Sequence, residues 1–282
     1  MKVLTIAHLT FLEARQRRLL WIIFLIGLLF LGLFALGFYF MYEEVSGGIS
    51  RGSSADPTLI TDEFSNVMLL MGLYGVNSLG VLLAVLLAVS TIAGEIASGT
   101  IQTIVTKPLR RWEVVLGKWL GLAVMLAAVI LFLSAGLMAI VWLIAGYLPP
   151  NLVQGVGLMI LEGLIFLALT ILGGTRLSVL GNGVVMFMLY GMTFVAGWVE
   201  QIGALLQNEA AVNVGIVASL VVPGEAMWRR AAYLMQTPIL RELSVTPFST
   251  ASAPNNAMVA YAAGYVVIVL GIAALSFRGR DL

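Results

Sequence analysis

Cysteine is absent from the 282 residues, and His8 is the single histidine. Disulfide frameworks, thiolate metal sites and histidine-cluster centres are therefore excluded. Charge is scarce as well. Asp, Glu, Lys and Arg make up 10% of the chain, against roughly a quarter in a soluble domain. With 61% apolar residues, the chain cannot clothe a globule for water. Its net charge is +1, and the basic residues are too scattered to form a footprint for nucleic acid. The signatures HExxH, GxSxG and GxxxxGK[ST] are missing, and no apolar run carries a pair of carboxylates. These absences speak against an intramembrane enzyme. If the protein uses ATP, another polypeptide must bind it.

Long apolar runs are what the chain has in abundance. They cover about 19–41, 66–93, 117–147, 152–172, 179–199 and 257–277. At about 1.5 Å per residue, roughly 20 residues cross the ~30 Å hydrocarbon core. Each run must be helical, because unsatisfied backbone groups in lipid cost several kcal/mol apiece. The expectation is an all-α membrane protein with six transmembrane helices forming one domain over 1–282. The first run follows Lys2, Arg15, Arg17 and Arg18 and lacks a small-x-small cleavage site. It is also too long for a signal h-region, so it reads as a retained span.

Basic residues set the orientation. With the N-terminus inside, the cytoplasmic segments hold Lys2, Arg15, Arg17, Arg18, Lys107, Arg110, Arg111, Lys118, Arg176, Arg278 and Arg280. Only Arg51, Arg229, Arg230 and Arg241 fall outside. Both termini are thus expected in the cytoplasm. The first outer loop, 42–65, carries Glu43, Glu44, Asp56, Asp62 and Glu63, and Pro149-Pro150 marks a tight second turn. The outer segment 200–256 contains an apolar run, 210–222, too short to span, which Pro223-Gly224 breaks. A re-entrant or interfacial segment suits that length. The rival is a seventh, irregular crossing. Arg229 and Arg230 go against the charge rule there.

The richest polar stretch is the loop 94–116 between the second and third runs. Ile101, Ile104, Val105, Leu109, Trp112 and Leu116 recur at helical spacing, Ser98-Gly99-Thr100 can cap a short helix, and Pro108 forces a break. This is either an interfacial loop or a docking element that transmits push or pull from a soluble partner.

The run GEIASGTIQTIVTKPLRRWEVVLGKWLG resembles the first cytoplasmic loop of ATP-binding-cassette (ABC) type-2 permeases. There an acidic residue, a Ser-Gly-Thr turn and a Lys-Pro step precede span three. The opening TIAHLTFLEARQRRLLW resembles that family's interfacial elbow helix. Within the family, the chain looks closest to permeases of multicopper-enzyme maturation and of sodium or drug efflux. The resemblance implies a permease subunit, an exporter, of the cell inner membrane. A separate ATPase, carrying ATP and magnesium, would drive it. A second permease copy, identical or paralogous, would complete the transporter. It also implies that Glu95, Ser98, Gly99, Thr100, Ile101, Ile104, Lys107, Pro108, Arg110 and Arg111 form the ATPase-coupling element. No cofactor is expected in this chain itself. On the N-terminal segment, Val3, Leu4, Ala7, Phe11 and Ala14 share one face, with Ile6, Leu9 and Leu12 elsewhere.

Polar residues inside the runs are the remaining candidates. Glu162 lies near the middle of the fourth run, where an ionised carboxylate is costly. It is either a site for a proton or cation, which would make the protein an ion-coupled carrier, or a structural group. In the structural reading it is hydrogen-bonded to a neighbour such as Asn77, Ser78 or Asn182. Asn77 and Asn182 read as interhelical links. Gly117-x-x-x-Gly121 and Ala260-x-x-x-Gly264 allow close helix contact. The 13 methionines are dispersed and read as packing.

Overall fold

A computed structural model describes residues 2–16, 18–49, 56–94, 110–243 and 253–278. The described residues form helices joined by turns, with no strand among them. In chain order they are α1 (Lys2–Gln16), α2 (Arg18–Ile49), α3 (Pro57–Val89), α4 (Arg111–Ala145) and α5 (Leu152–Gly174). After these come α6 (Val179–Leu205), α7 (Glu209–Val221), α8 (Gly224–Met235), α9 (Pro238–Leu243) and α10 (Asn256–Arg278). Six helices are long and apolar enough to cross a membrane: α2, α3, α4, α5, α6 and α10. The chain is a multi-pass membrane protein.

Helix ends differ from the apolar runs wherever polar residues continue a helix into water. The segment 42–65 was expected as a loop, yet α2 runs on to Ile49 and α3 starts at Pro57. Asp56 caps α3, accepting from the Thr58 backbone N–H at 3.0 Å and from its hydroxyl at 2.7 Å. These two bonds hold the exposed Asp56 carboxyl below its ordinary range. Pro57 opens the helix, where its missing N–H costs nothing. α4 likewise begins inside the segment read as loop. Glu113 accepts from the Arg110 backbone N–H at 2.8 Å, and α4 runs from Arg111 without a break. Its 35 residues span about 52 Å, well beyond the hydrocarbon core. Gly146, at φ 69°, ends α4 in the left-handed conformation that favours glycine.

α3 and α5 are the inner helices. Their most apolar windows are 61% and 72% buried, whereas those of α2 and α6 are 11% and 22% buried and face outward. α1 lies lengthwise along the first half of α4. A side chain on Gly121 would sit 2.5 Å from the Ala7 carbonyl oxygen, and one on Gly117 would sit 2.7 Å from Ile6 Cβ. Thr10 and Ala14 are buried in this seam. The seam corrects the expected helix face. Ile6 packs inward and Leu4 is 71% exposed. The turn of α1 is set by the small residues of α4 rather than by its own largest side chains. The Gly264 spacing has no such partner among the described residues, where a Cβ would meet nothing within 4 Å.

α7 folds back along α6, where Gly203 meets Ala211 and Gly215 meets Glu200. The chain then bends by 110° at Val222-Pro223, and α8 returns. Gly224 abuts Phe166, whereas Met235 covers Gly155. α8 is therefore antiparallel to α5, with its start about 11 residues deeper along α5 than its end, or some 16 Å at 1.5 Å per residue.

Candidate functional site

Two sets of side chains stand out. One gathers at the end of the bundle where α3, α5 and α10 finish and α4 and α6 begin. Arg111 Nη1 donates to the carbonyls of Phe277 at 2.9 Å and Arg278 at 3.0 Å, with its guanidinium 5.9 Å from the Phe277 ring. The last carbonyls of a helix lack intrahelical partners and carry its negative end, so a cation belongs there. Ser276, on the same turn, meets Arg176 Nε at 2.9 Å and the Thr175 hydroxyl at 2.9 Å. Lys118, buried within α4, donates to the Thr91 carbonyl at 3.2 Å just past the end of α3. The start of α4 is thus tied to the end of α3 through Lys118 and to the end of α10 through Arg111. The α5–α6 turn joins the same turn of α10.

Of the expected coupling residues, Glu95, Ser98, Gly99, Thr100, Ile101, Ile104, Lys107 and Pro108 lie outside the described residues. Arg110 is exposed and Arg111 is partly covered. The two neighbours, grouped together by sequence, point to different duties. Arg111 holds α10, and Arg110 faces solvent at the start of α4.

The second set is a polar string in the bundle interior. Asn77 Nδ2 donates to Glu162 Oε2 at 2.9 Å, so α3 and α5 are linked through the first of the expected partners. Glu162 also lies near the Trp228 backbone on α8. Asn182 serves elsewhere. It donates to the Thr170 carbonyl at 2.8 Å, joining α6 to α5, while Ser78 meets the Tyr190 hydroxyl at 3.1 Å. Asn77 and Glu162 are brought together, and Asn182 is not part of their contact.

Four further members, Arg229, Glu200, Ser219 and Glu225, were not singled out as site residues in the sequence. Arg229 on α8 pairs with Glu200 on α6 at 2.5 Å, and both side chains are almost wholly buried. Arg229 Nη2 also donates to Ser219 of α7 at 3.0 Å. Glu225, one turn before Arg229, is buried in the notch left by Gly197 of α6 and interacts electrostatically with both Arg229 and Glu162. The string Asn77, Glu162, Glu225, Arg229, Glu200, Ser219 thus crosses five helices. The available signal was an acid at 200 and a base at 229, flanking an apolar run too short to span. Charges at the two ends of such a run must meet when it folds back.

The same logic accounts for the arginines that break the charge rule. Arg229 is neutralised by Glu200. Arg230 donates to Asn256 Oδ1 at 2.8 Å, and Arg241 lies 4.7 Å over the Tyr233 ring and donates to the Leu234 carbonyl at 3.0 Å. Each of these guanidinium contacts ties a part of the 200–256 segment to its neighbours. At this end, Asn66 Nδ2 also donates to the Tyr147 hydroxyl at 2.7 Å and to the Met235 carbonyl at 2.8 Å. Burial pushes the Tyr147 phenol up to about 12.

The described residues contain no group of three or more His, Asp or Glu side chains arranged to hold a metal ion. Chemically, the arrangement joins helices and orders charge. A search of curated proteins finds no match to the chain. The family model described as ABC-2 family transporter protein matches residues 4–282. With six spanning helices and a match over nearly its whole length, the chain belongs to the ABC-2 family and is an ABC transporter permease.

Proposed function

We propose that the protein is the membrane subunit of an exporter driven by a separate ATPase, which docks on the 94–116 loop. The observation that carries this reading is the anchorage of that loop. Lys118 bonds to the end of α3 and Arg111 to the end of α10, so a displacement of the loop reaches both helices and α4 together. The sequence has no phosphate-loop motif, which assigns ATP and magnesium to the partner. Glu95, Ser98, Gly99, Thr100, Ile101, Ile104, Lys107, Pro108 and Arg110 supply the docking element. Ile101 and Ile104 fill an apolar groove there, and Arg110 faces acidic groups.

The end of the bundle that holds Arg110, Arg111, Lys118, Arg176 and Arg278 faces the cytoplasm of an inner membrane, because cytoplasmic ends carry the excess of Lys and Arg. The opposite end carries Glu43, Glu44, Asp56, Asp62 and Glu63. α1 is the elbow at the cytoplasmic interface, and α7–α8 is a re-entrant hairpin entered from the outer face. Two permease copies, identical or paralogous, form the transporter, which we group with the multicopper-maturation and efflux permeases on the sequence resemblance. Co-purification in mild detergent tests the reading. An ATPase subunit is expected with the wild type and lost with Gly99→Pro or with Arg110→Glu and Arg111→Glu together. Wild-type recovery of the ATPase with all of these changes refutes the docking role.

A second reading is an ion-coupled carrier, favoured by the buried neighbours Glu162 and Glu225. Cargo movement by the purified chain alone under a proton gradient would establish it instead.

A further inference from the structure

α1 and α2 both pack on α4, and where one gives way to the other they leave a wedge-shaped groove of about 350 Å³. Phe11 and Arg15 come from α1, Trp21 and Phe24 from α2, and Ala128 and Phe132 from α4. Its walls are apolar apart from Arg15. Trp21, Phe24 and Phe132 are themselves exposed at the rim, with the Phe24 and Phe132 rings tilted by 32° at 5.4 Å between centroids. The groove therefore opens sideways from the bundle, where α2 meets lipid, rather than into the interior.

We propose that this groove is a binding site for an anionic phospholipid, with one acyl chain in the wedge and the phosphate against Arg15. Three observations converge on that occupant. A dry groove facing hydrocarbon is filled by hydrocarbon, since water needs polar partners that these walls do not offer. At roughly 30 Å³ for a water-sized group, the volume holds about ten methylenes, a large part of one chain. Arg15 stands at the groove with no partner among the described residues, and Arg17 and Arg18 follow it in the sequence. Basic clusters flanking a spanning helix attract anionic headgroups. The lipid would join α1 to α2 across the gap that protein atoms leave open. The site rests on the cytoplasmic placement of α1 proposed above, and it is independent of whether an ATPase drives transport.

Native mass spectrometry and thermal unfolding of the full chain in mild detergent test the site, with phosphatidylglycerol and phosphatidylcholine as probes. Wild-type protein is expected to retain one phosphatidylglycerol about tenfold more tightly than phosphatidylcholine and to unfold at a higher temperature with it. Arg15→Gln removes the preference, Arg15→Lys restores most of it, and Ala128→Trp abolishes retention by filling the wedge. Equal retention of the two lipids by the wild type overturns the proposal. So does wild-type phosphatidylglycerol binding by both Arg15→Gln and Ala128→Trp. Either result leaves ATPase co-purification, and the reading built on it, untouched.

Discussion

Arg229 of α8 and Glu200 of α6 meet at 2.5 Å inside the bundle. Glu200 lies toward the end of a spanning helix, and Arg229 on a helix too short to span by itself. Together they pin the 110° hairpin to the fifth spanning helix. The string continues through Glu225 to Glu162 and Asn77 in the two most buried helices. A segment that sequence alone leaves between loop and span is fixed by charge at the place where it folds back.

Breaking this pair from one side is expected to be severe. Glu200→Leu leaves a buried guanidinium uncompensated, a loss of about 3–5 kcal/mol. Glu200→Leu with Arg229→Met together should regain part of that loss, because neither member of the pair is then stranded, although Glu225 loses its basic neighbour. Thermal unfolding of the three proteins in detergent decides the matter. A double variant no better than the single one contradicts the pairing.

Glu162→Gln should fold and transport normally. The amide oxygen can still accept from Asn77 Nδ2. Glu162→Ala strands Asn77 and should cost about 0.6–2 kcal/mol, the range for one interhelical hydrogen bond in a membrane. Loss of transport in a stable Glu162→Gln protein would instead mark a titrating role.

Arg111→Ala releases α10 from the start of α4. Bound ATPase should remain while transport falls severalfold, and Arg111→Lys should recover only part, since a lysine lacks the planar guanidinium that lies over the Phe277 ring. Arg110→Ala is expected to lower ATPase recovery instead. Quantifying bound ATPase and cargo movement for both variants separates a strut from a docking contact.

Gly121→Val should separate α1 from α4. Its first methyl-bearing carbon would lie 2.5 Å from the Ala7 carbonyl, an overlap worth about 1–3 kcal/mol. Hydrogen exchange in residues 2–16 should accelerate, with the spanning helices unchanged. Gly264→Val, at a site with open space around it, is the matched control.

The absence of cysteine gives a clean background for mapping sidedness. Gly47→Cys should react with an impermeant maleimide added outside intact cells, and Leu177→Cys should react only after the membrane is opened. The reverse pattern inverts the proposed orientation.

Much of the scaffold was legible before any coordinates. A hydropathy run is a local property, and lipid forces each long run to be helical, so six spans follow from counting. The ends were less legible. Polar residues can continue a helix past the hydrocarbon, as they do from Tyr42 to Ile49 and from Pro57 to Ser65. Hydropathy is silent where a helix is long enough to leave the lipid. The inward face of α1 was misjudged at Leu4 and Ile6, because the partner surface is a glycine seam on a helix more than a hundred residues away.

The sequence by itself determined that this is a membrane protein without thiol chemistry and without a phosphate loop, and that its basic residues gather toward one end. Tertiary structure alone decided that Asn77 and not Asn182 serves Glu162, that Glu200 answers Arg229, and that Arg111 grips the end of α10. The reason is range. Transfer of a side chain to lipid depends on its own run of sequence, whereas a buried polar atom needs a partner, and partners become neighbours only when helices far apart in the chain are packed together.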